Sequence, residues 1–257
     1  MIDTHAHLSS TDFDADRDDV VARAFAAGTH RIVEVGIEVR SSRAAVELAR
    51  RHEAVSAAVG IHPHEAGRQT IDHLASLEPL LADPTVVAIG ETGLDFYRDY
   101  APHDRQEALF RRHIALALEH DLPLVVHSRG AEERVLEILE ETGADRVGGV
   151  LHCYGGPVDL VPRVAALGFD LGFGGAVTRS RGRYRAMLPV VPRERMLLET
   201  DCPYLAPAPR TSRRNEPAFL VEVLPVMAGI LAMDPGDLER VTDANARRRF
   251  RIADGAP

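Results

Sequence analysis

Two histidines stand two residues apart near the start of the chain, in the segment Asp3-Thr4-His5-Ala6-His7. On a β-strand this spacing places His5 and His7 on the same face, because successive side chains alternate between faces. Imidazole nitrogens are ligands of divalent metal ions, and two imidazoles on one face can bind the same ion. A lone histidine would more often be a hydrogen-bonded core residue, so it is the pair that predicts metal binding.

Four further residues with metal-binding side chains each end a short apolar run. Glu91 ends VVAIGE, His127 ends LPLVVH, His152 ends GGVLH and Asp201 ends MLLETD. A carboxylate buried beneath such a run costs free energy unless a cation or another partner neutralises it. A helix cap or a salt bridge is the alternative role for Glu91. Glu199 points to the same face as Asp201 and is expected to support the metal ligands or to contact substrate, with a structural ion pair as the alternative.

The combined set of four histidines and two carboxylates suits Zn²⁺, Mn²⁺ or Mg²⁺ and does not select among them. Two ions about 3.5–4 Å apart can activate water and stabilise charge on the attacked and leaving oxygens. We therefore predict two divalent metal ions, with Glu91 bridging them and Asp201 accepting a proton from the attacking water. Phosphodiester hydrolysis gains most from such a site, although ester and amide hydrolysis can use the same groups.

Composition narrows these alternatives. All 30 basic residues are arginine, so mechanisms that need a lysine Schiff base or a carbamylated lysine are excluded. The two cysteines, Cys153 and Cys202, are too few for a disulfide framework and lack the spacing of a zinc–thiolate site. A net charge of −9 argues against indiscriminate binding to long nucleic acid through a basic surface. It leaves open a nucleic-acid substrate that metal ions and a few arginines bind locally.

The elements that position these residues alternate regularly between β-rich runs and helical patterns, as parallel α/β folds require. The predicted strands are 1–8, 31–37, 55–62, 86–91, 122–128, 149–154, 169–174 and 196–201. The clearest helices are 104–120 and 131–142. The candidate ligands and His62 fall at strand ends, which form the catalytic mouth of a barrel. We predict one α/β domain over residues 1–257, a (β/α)₈ TIM barrel, with a doubly wound open sheet as the alternative.

No apolar run approaches the roughly 18 residues that a membrane span requires. The first residues carry neither the basic stretch nor the apolar core of a signal peptide. We therefore expect a cytoplasmic, monomeric protein with no membrane partner.

The candidate residues stand in motifs that resemble, in order and over nearly the whole chain, the TatD family of metal-dependent deoxyribonucleases, within the amidohydrolase-type metal barrels. The matching motifs are DTHAHL at 3–8, VGIHPH at 59–64, IGETGLDFYRDY at 89–100, VVHSRGA at 125–131, LHCYGG at 151–156, LLETDCPYLAP at 197–207, RRNEP at 213–217 and DANARRRF at 243–250. The resemblance implies a two-metal site made of His5, His7, Glu91, His127, His152 and Asp201. It also implies a substrate-binding role for His62, with Asp95 and Tyr97 near the mouth. The alternative for His62 is an imidazole that stabilises its loop, and the alternative for Asp95 and Tyr97 is loop packing.

Three positions depart from the family pattern. Gly130 stands where the family usually has aspartate, Gly155 where it commonly has serine, and Thr211 where it often has arginine. None is a predicted ligand, so the departures bear on substrate contacts and leave the metal site intact.

Arginines after the seventh and eighth strands are candidates for phosphate binding, because barrels often bind phosphate there and arginine forks match phosphate oxygens. They are Arg179, Arg181, Arg183, Arg185, Arg210, Arg213 and Arg214. A solvated charge run is the alternative. We predict substrate contacts from Arg213, Arg214 and Arg129. The accompanying aromatics are few, Tyr184 and Tyr204, so we expect no extended base-stacking platform.

The leading hypothesis is a metal-dependent deoxyribonuclease that acts on DNA single strands or ends, with DNA as a transient partner. An ester or amide hydrolase, such as a deacylase acting on aminoacyl-tRNA, is the second hypothesis, because the acidic net charge suits it. A barrel retained as a binding module without catalysis is the third, and the complete ligand set disfavours it.

Overall fold

The computed structural model describes residues 1–98, 100–211 and 213–253. Asp99, Ser212 and residues 254–257, which the predicted domain includes, lie outside the described residues.

Eight parallel strands follow one another around a single sheet in the order of the sequence. They are β1 (Ile2–Ala6), β2 (Arg31–Val35), β3 (Val55–Val59), β4 (Val86–Asp95), β5 (Leu124–Arg129), β6 (Gly149–Leu151), β7 (Phe169–Phe173) and β8 (Met196–Leu198). The sheet closes where Ala6 pairs with Cys202 and the Asp201 N–H donates to the His5 carbonyl at 2.8 Å. Sequential order with closure confirms the (β/α)₈ barrel, because a doubly wound sheet would place its first strand in the interior.

The strand ends differ from the predicted ones in both directions. β3 ends at Val59 and β8 at Leu198, so His62 and Asp201 lie three residues beyond their strands. Asp201 has a φ of 57°, a left-handed conformation that takes it out of a strand. β4 instead continues past Glu91, because Thr92 to Asp95 pair with β5 after an irregularity in register. Apolar pattern cannot reveal either effect, since both depend on backbone pairing.

Helices lie between the strands and after the last one. They are α1 (Arg17–Ala26), α2 (Val39–Arg51), α3 (Ile71–Ala75), α4 (His103–His120), α5 (Glu132–Thr142), α6 (Val161–Ala166), α7 (Ala176–Arg179), α8 (Arg181–Met187), α9 (Leu220–Leu231) and α10 (Pro235–Phe250). The two clearest predicted helices, 104–120 and 131–142, are confirmed as α4 and α5 to within a residue at their starts. Apolar side chains of α4 such as Phe110 and Ile114 are fully buried in the main core.

The amino-terminal end of the barrel is covered. Ala246 and Phe250 of α10 pack in one apolar cluster with strand residues such as Ile2, Val33 and Val125. The Asp243 carboxylate also accepts the N–H of Ile2 at 2.8 Å. Access to the barrel is therefore left to its carboxyl-terminal mouth.

Within the described residues, no single helix is long and apolar enough to cross a membrane. One bent pair, Pro217–Leu231 with Pro235–Phe250 at 106°, passes that test by length and composition alone.

Candidate metal centre

The first group of potential metal ligands joins the start of the chain to its last strand. His5 lies on β1 and His7 just after it, while Asp201 follows β8 and Glu91 comes from β4. The His5 and His7 Nε2 atoms are 3.1 Å apart, and Glu91 Oε2 lies 3.4 and 3.5 Å from them. Asp201 Oδ1 lies 3.8 Å from His5 Nε2 and 3.4 Å from His7 Nε2. Four donor atoms thus point at one small volume.

These spacings test whether a metal ion fits. Ligand atoms bound tetrahedrally at about 2.0–2.1 Å stand about 3.4 Å from one another. The distances from each of the two imidazole nitrogens to the other and to the two carboxylates run from 3.1 to 3.8 Å, so the group has the size of one ion's coordination shell. Burial fits as well, because the His5 side chain is 0% exposed and the Glu91 side chain is 2% exposed.

A second group shares Glu91 through its other oxygen. Glu91 Oε1 lies 2.8 Å from His152 Nε2 and 3.2 Å from His127 Nδ1. The two imidazole nitrogens are themselves 3.2 Å apart. The carboxylate therefore presents one oxygen to each group, which is the geometry of a bridging ligand.

Two of the imidazoles are held in the tautomer that metal binding needs. His7 Nδ1 lies 2.8 Å from the Val35 carbonyl, and His127 Nε2 lies 3.1 Å from Asp95 Oδ2. A nitrogen that donates to oxygen carries the proton, which leaves the lone pair on the nitrogen facing Glu91. The side chains are thus oriented as ligands by their neighbours.

His62 has the opposite tautomer. Its Nδ1 accepts the backbone N–H of His64 at 3.0 Å, so in the neutral ring the proton is on Nε2. That Nε2 lies 3.2 Å from Glu91 Oε1 and faces the cleft. An N–H at this position is a hydrogen-bond donor toward an anion and offers no lone pair to a metal. The substrate-binding role of His62 stays a prediction.

Asp95 is buried among several hydrogen-bond donors. Its side chain is 0% exposed. The carboxylate also lies 2.7 Å from His64 Nε2 and accepts the N–H groups of Tyr97 and Arg98 at 3.0 and 2.8 Å. With these donors and His127 around it, Asp95 orients imidazoles. Asp95 also lines the cleft, and its contact with substrate stays a prediction.

Two residues that the sequence reasoning passed over hold the segment carrying Asp201. The Asp3 carboxylate accepts the Thr200 N–H at 2.9 Å and the Thr200 hydroxyl at 2.6 Å. The Asn215 amide donates to the carbonyls of Thr200 and Tyr204 at 2.8 and 2.6 Å. Asp3 and Asn215 lie in the motifs at 3–8 and 213–217. Their place in these motifs was the sequence signal that could have identified them.

The electrostatics of the centre keep Glu91 ionised. Burial raises its pKa, but the nearby His152, His62 and His5 outweigh that effect and hold the pKa well below its ordinary value. Burial lowers the pKa of His152, but Glu91 and the other carboxylates outweigh it and raise the pKa to about 10. Burial and the neighbouring His152 lower the pKa of His5 to about 3, because Glu91 offsets them only in part.

Glu199 is buried beside the second group, with 1% of its side chain exposed. Its Oε1 accepts the backbone N–H of Cys153, while Oε2 has no partner among the described residues. Burial raises its pKa to about 8. A Cβ on Gly172 would stand 2.0 Å from Oε2, so glycine at this point of β7 makes room for the carboxylate. This buried position beside His152 suits support of the ligands, one of the two roles expected.

A cleft of about 860 Å³ opens over both groups. The positively charged side chains in its lining are Arg68, Arg98 and Arg129, from the segments after β3 and β4 and from the end of β5. Arg129 is therefore where the sequence predicted it, at the mouth.

The arginines predicted after β8 lie elsewhere. Arg214 forms an ion pair with Asp16 at 2.7 Å and packs over the Phe13 ring. Arg213 is exposed and is not among the residues that line the cleft. Arg210 pairs with Glu222 at 3.0 Å. An ion pair between residues 198 positions apart has no local signature, so the sequence could not have shown the partner of Arg214.

The expectation about aromatics also changes. Tyr184 is buried at 4% exposure, but Tyr204 lines the cleft together with Tyr100, and Tyr97 packs against Arg129.

Comparison with known proteins relates this chain to one family. A family model described as TatD related DNase matches residues 2–251. A Bacillus subtilis protein named as the metal-dependent hydrolase YabD is 40% identical over 253 residues, covering 98% of this chain and 99% of that protein. A Cronobacter sakazakii protein named 3′-5′ ssDNA/RNA exonuclease TatD is 41% identical over 256 residues, covering 97% of each.

A solved structure supports the same relation. The crystal structure of YjjV, a TatD homologue from Escherichia coli K12, matches with a TM-score of 0.93 and 28% identity, covering 98% of both chains.

Proposed function

The chain belongs to the TatD-related DNase family, and from that premise we propose that it is a metal-dependent nuclease that hydrolyses phosphodiester bonds of DNA. The names of its relatives specify single-stranded DNA or RNA and the 3′-5′ direction, and we propose the same strand type and direction here. The observation that carries the proposal is the position of Glu91, whose two oxygens face two separate groups of imidazoles.

Two divalent ions fit these groups. One would be held by His5, His7, Glu91 and Asp201, and the other by Glu91, His127 and His152. When bound, the ions supply positive charge to the scissile phosphate and lower the pKa of the attacking water. Four imidazoles make the donor set rich in nitrogen, which favours Zn²⁺ or Mn²⁺ over Mg²⁺.

Asp201 is placed to accept the proton of the attacking water. Its side chain is 13% exposed, whereas Glu91 is 2% exposed, so Asp201 is the carboxylate that water in the cleft can reach. Burial raises the pKa of Asp201, but His7, His152 and His5 outweigh it and hold the pKa below its ordinary value. The side chain is therefore ionised and can act as a base.

The scissile phosphate meets donors from this chain on the side of the second group. His62 presents Nε2–H to the cleft, and Arg129 stands at its rim with a guanidinium suited to phosphate oxygens. Asp95 keeps His127 in its ligand tautomer and so acts through another residue.

The test follows the shortening of a 5′-labelled single-stranded oligodeoxynucleotide by the purified protein. We expect a ladder of shortened strands with Mn²⁺ or Mg²⁺, and none with EDTA or with His152→Ala. Equal shortening under all conditions would mark a contaminating nuclease and refute the proposal. Metal content by mass spectrometry, at two ions per chain, tests the two-metal site separately.

We further propose that residues 1–257 form one domain of a cytoplasmic monomer. Light scattering during size-exclusion chromatography tests the oligomeric state.

A further inference from the structure

Three of the five tyrosines in the chain are exposed: Tyr97 at 69%, Tyr100 at 60% and Tyr204 at 55%. Aromatic rings usually bury most of their large apolar area, so exposed rings concentrated in one place mark a binding surface. Tyr100 and Tyr204 line the cleft that contains the candidate metal centre.

One ring stands beside each ligand group. The Tyr204 ring centroid lies 6.2 Å from that of His7, a member of the first group. The Tyr100 ring lies 4.8 Å from His64, which contacts the same Asp95 carboxylate as His127 of the second group. A phosphodiester bound over Glu91 would therefore have the Tyr100 ring on one side and the Tyr204 ring on the other.

Arginines accompany the rings on the Tyr100 side. The Arg98 guanidinium lies 5.9 Å over the Tyr100 ring and donates to its hydroxyl at 3.1 Å. The Arg129 guanidinium lies 4.4 Å over the Tyr97 ring, and Arg68 extends into solvent with 85% of its side chain exposed. Aromatic faces mixed with guanidinium groups are the surface that single strands bind, because bases stack on rings and phosphates pair with cations.

The Tyr204 side also has room for a base. Tyr204 and His7 also line an adjoining pocket of about 320 Å³, whose apolar wall includes Ile37 and Leu48. The Tyr100 side therefore offers a cationic path for the backbone, and the Tyr204 side adds a smaller pocket whose lining also includes Arg17, Arg40 and Arg51.

We propose that Tyr100 and Tyr204 stack the two unpaired bases on either side of the scissile phosphate, while Arg68, Arg98 and Arg129 hold phosphates on the Tyr100 side. The inference rests on the proposed nuclease function and names the residues that select the strand. In a duplex the two bases that flank a phosphate stack on each other and are paired, so they cannot each place a face on a separate tyrosine, whereas unpaired bases can.

The experiment compares kcat/KM on a single-stranded oligothymidylate with kcat/KM on the same strand carrying abasic residues at its last three 3′ positions. Loss of one base–ring stack costs about 1–3 kcal/mol, which is about 5- to 150-fold. We expect Tyr100→Ala and Tyr204→Ala each to reduce the ratio of normal to abasic strand by at least about 5-fold, through KM. Replacement by phenylalanine should restore most of the ratio, because the ring and not the hydroxyl makes the stack.

The matched control is Phe25→Ala, which removes a 37% exposed ring from α1, away from the cleft, and should leave the ratio at the wild-type value. Metal content is measured in every variant. Alanine variants that keep the wild-type ratio would overturn the stacking proposal, as would variants that lose activity equally on both strands with full metal content. A wild-type protein that cleaves neither strand would instead overturn the nuclease function, and the stacking proposal with it.

Discussion

The two ends of the barrel both bury carboxylates, and they neutralise them differently. At the covered end, Asp170 of β7 is 0% exposed and contacts Arg249 at 2.7 Å, Arg248 at 3.1 Å and Arg195 at 3.3 Å. At the open end, Glu91 is equally buried but faces only imidazoles within the described residues.

This difference distinguishes a buried carboxylate that stabilises the fold from one that is available to bind metal. A guanidinium is always charged, so the cluster around Asp170 is electrostatically complete within the chain. An imidazole is charged only when protonated, and its neutral form offers a lone pair. At the open end, metal ions can therefore replace protons on the imidazoles. At the covered end, the guanidinium groups stay protonated and offer no lone pair to a metal ion.

The largest effect should come from Glu91→Gln, which removes the shared ligand of the two groups. We expect nuclease activity to fall roughly 10³-fold or more, because charge stabilisation at the phosphate is lost with the ions. Metal content should fall from two ions to at most one per chain, as mass spectrometry would show. Glu107→Gln, which alters an ion pair with Arg134 on the outer surface, is the control. Full metal content in Glu91→Gln would contradict the bridging role.

At the covered end, Asp170→Asn should destabilise the fold and leave the metal centre intact. Removing one partner of a buried ion cluster leaves uncompensated charge, so we expect a loss of about 3 kcal/mol in the free energy of unfolding, measured in urea. Asp121→Asn breaks a pair with Arg251 in which both side chains are exposed, so water screens the attraction and the loss should be much smaller. Similar losses in the two variants would show that burial does not distinguish these carboxylates.

His113 is a third case, a buried imidazole with neither metal nor carboxylate. Its Nε2 accepts the Ile61 N–H at 3.0 Å and its Nδ1 lies 2.8 Å from the Leu109 carbonyl, while burial lowers its pKa to about 4. The unfolded chain binds this proton near pH 6.5, so the stability contribution is present above pH 6.5 and lost as the pH falls toward 4.

The expected loss is up to about 3 kcal/mol across that window. Urea unfolding at pH 7.5 and 5.0, in EDTA, should show a smaller drop for His113→Gln than for the wild type. An unchanged drop would assign the acid sensitivity to other groups.

The smallest effect in this series should come from Asp95→Asn, which weakens the hold on His127 without removing a ligand. Loss of such an orienting partner typically reduces metal affinity by 10- to 100-fold. Metal titration should show this loss at one of the two sites, while Asp83→Asn, at a surface pair with Arg50, should not change it. An equal loss at both sites would mean that Asp95 supports the whole mouth and not His127 in particular.

Prediction from sequence was most successful for residues that the strands themselves position. Spacing on β1 and the ends of apolar runs sufficed to bring His5, Glu91 and His152 together, because parallel strands deliver their carboxyl ends to one edge. The barrel itself followed from the alternation of strands and helices.

Prediction from sequence was least successful for residues whose position depends on loop conformation. Tyr100 lines the cleft because the segment after β4 packs against His64. Arg214 lies away from the cleft because it forms an ion pair with Asp16. Asp95 has the sequence context of a residue at the mouth but turns inward toward two imidazoles. Such outcomes depend on contacts between distant segments, for which composition and periodicity carry no signal.

The closure of the barrel also sets a condition on biosynthesis. His5 and His7 are made first, but Asp201 comes from the segment after the last strand, and its N–H closes the seam with His5. A ribosome-bound chain in which residue 201 has not yet left the exit tunnel cannot form the closure between β1 and the segment after β8. It also lacks one ligand of the first group. We therefore expect nascent chains to be inactive toward nucleic acid until the whole barrel has emerged and closed.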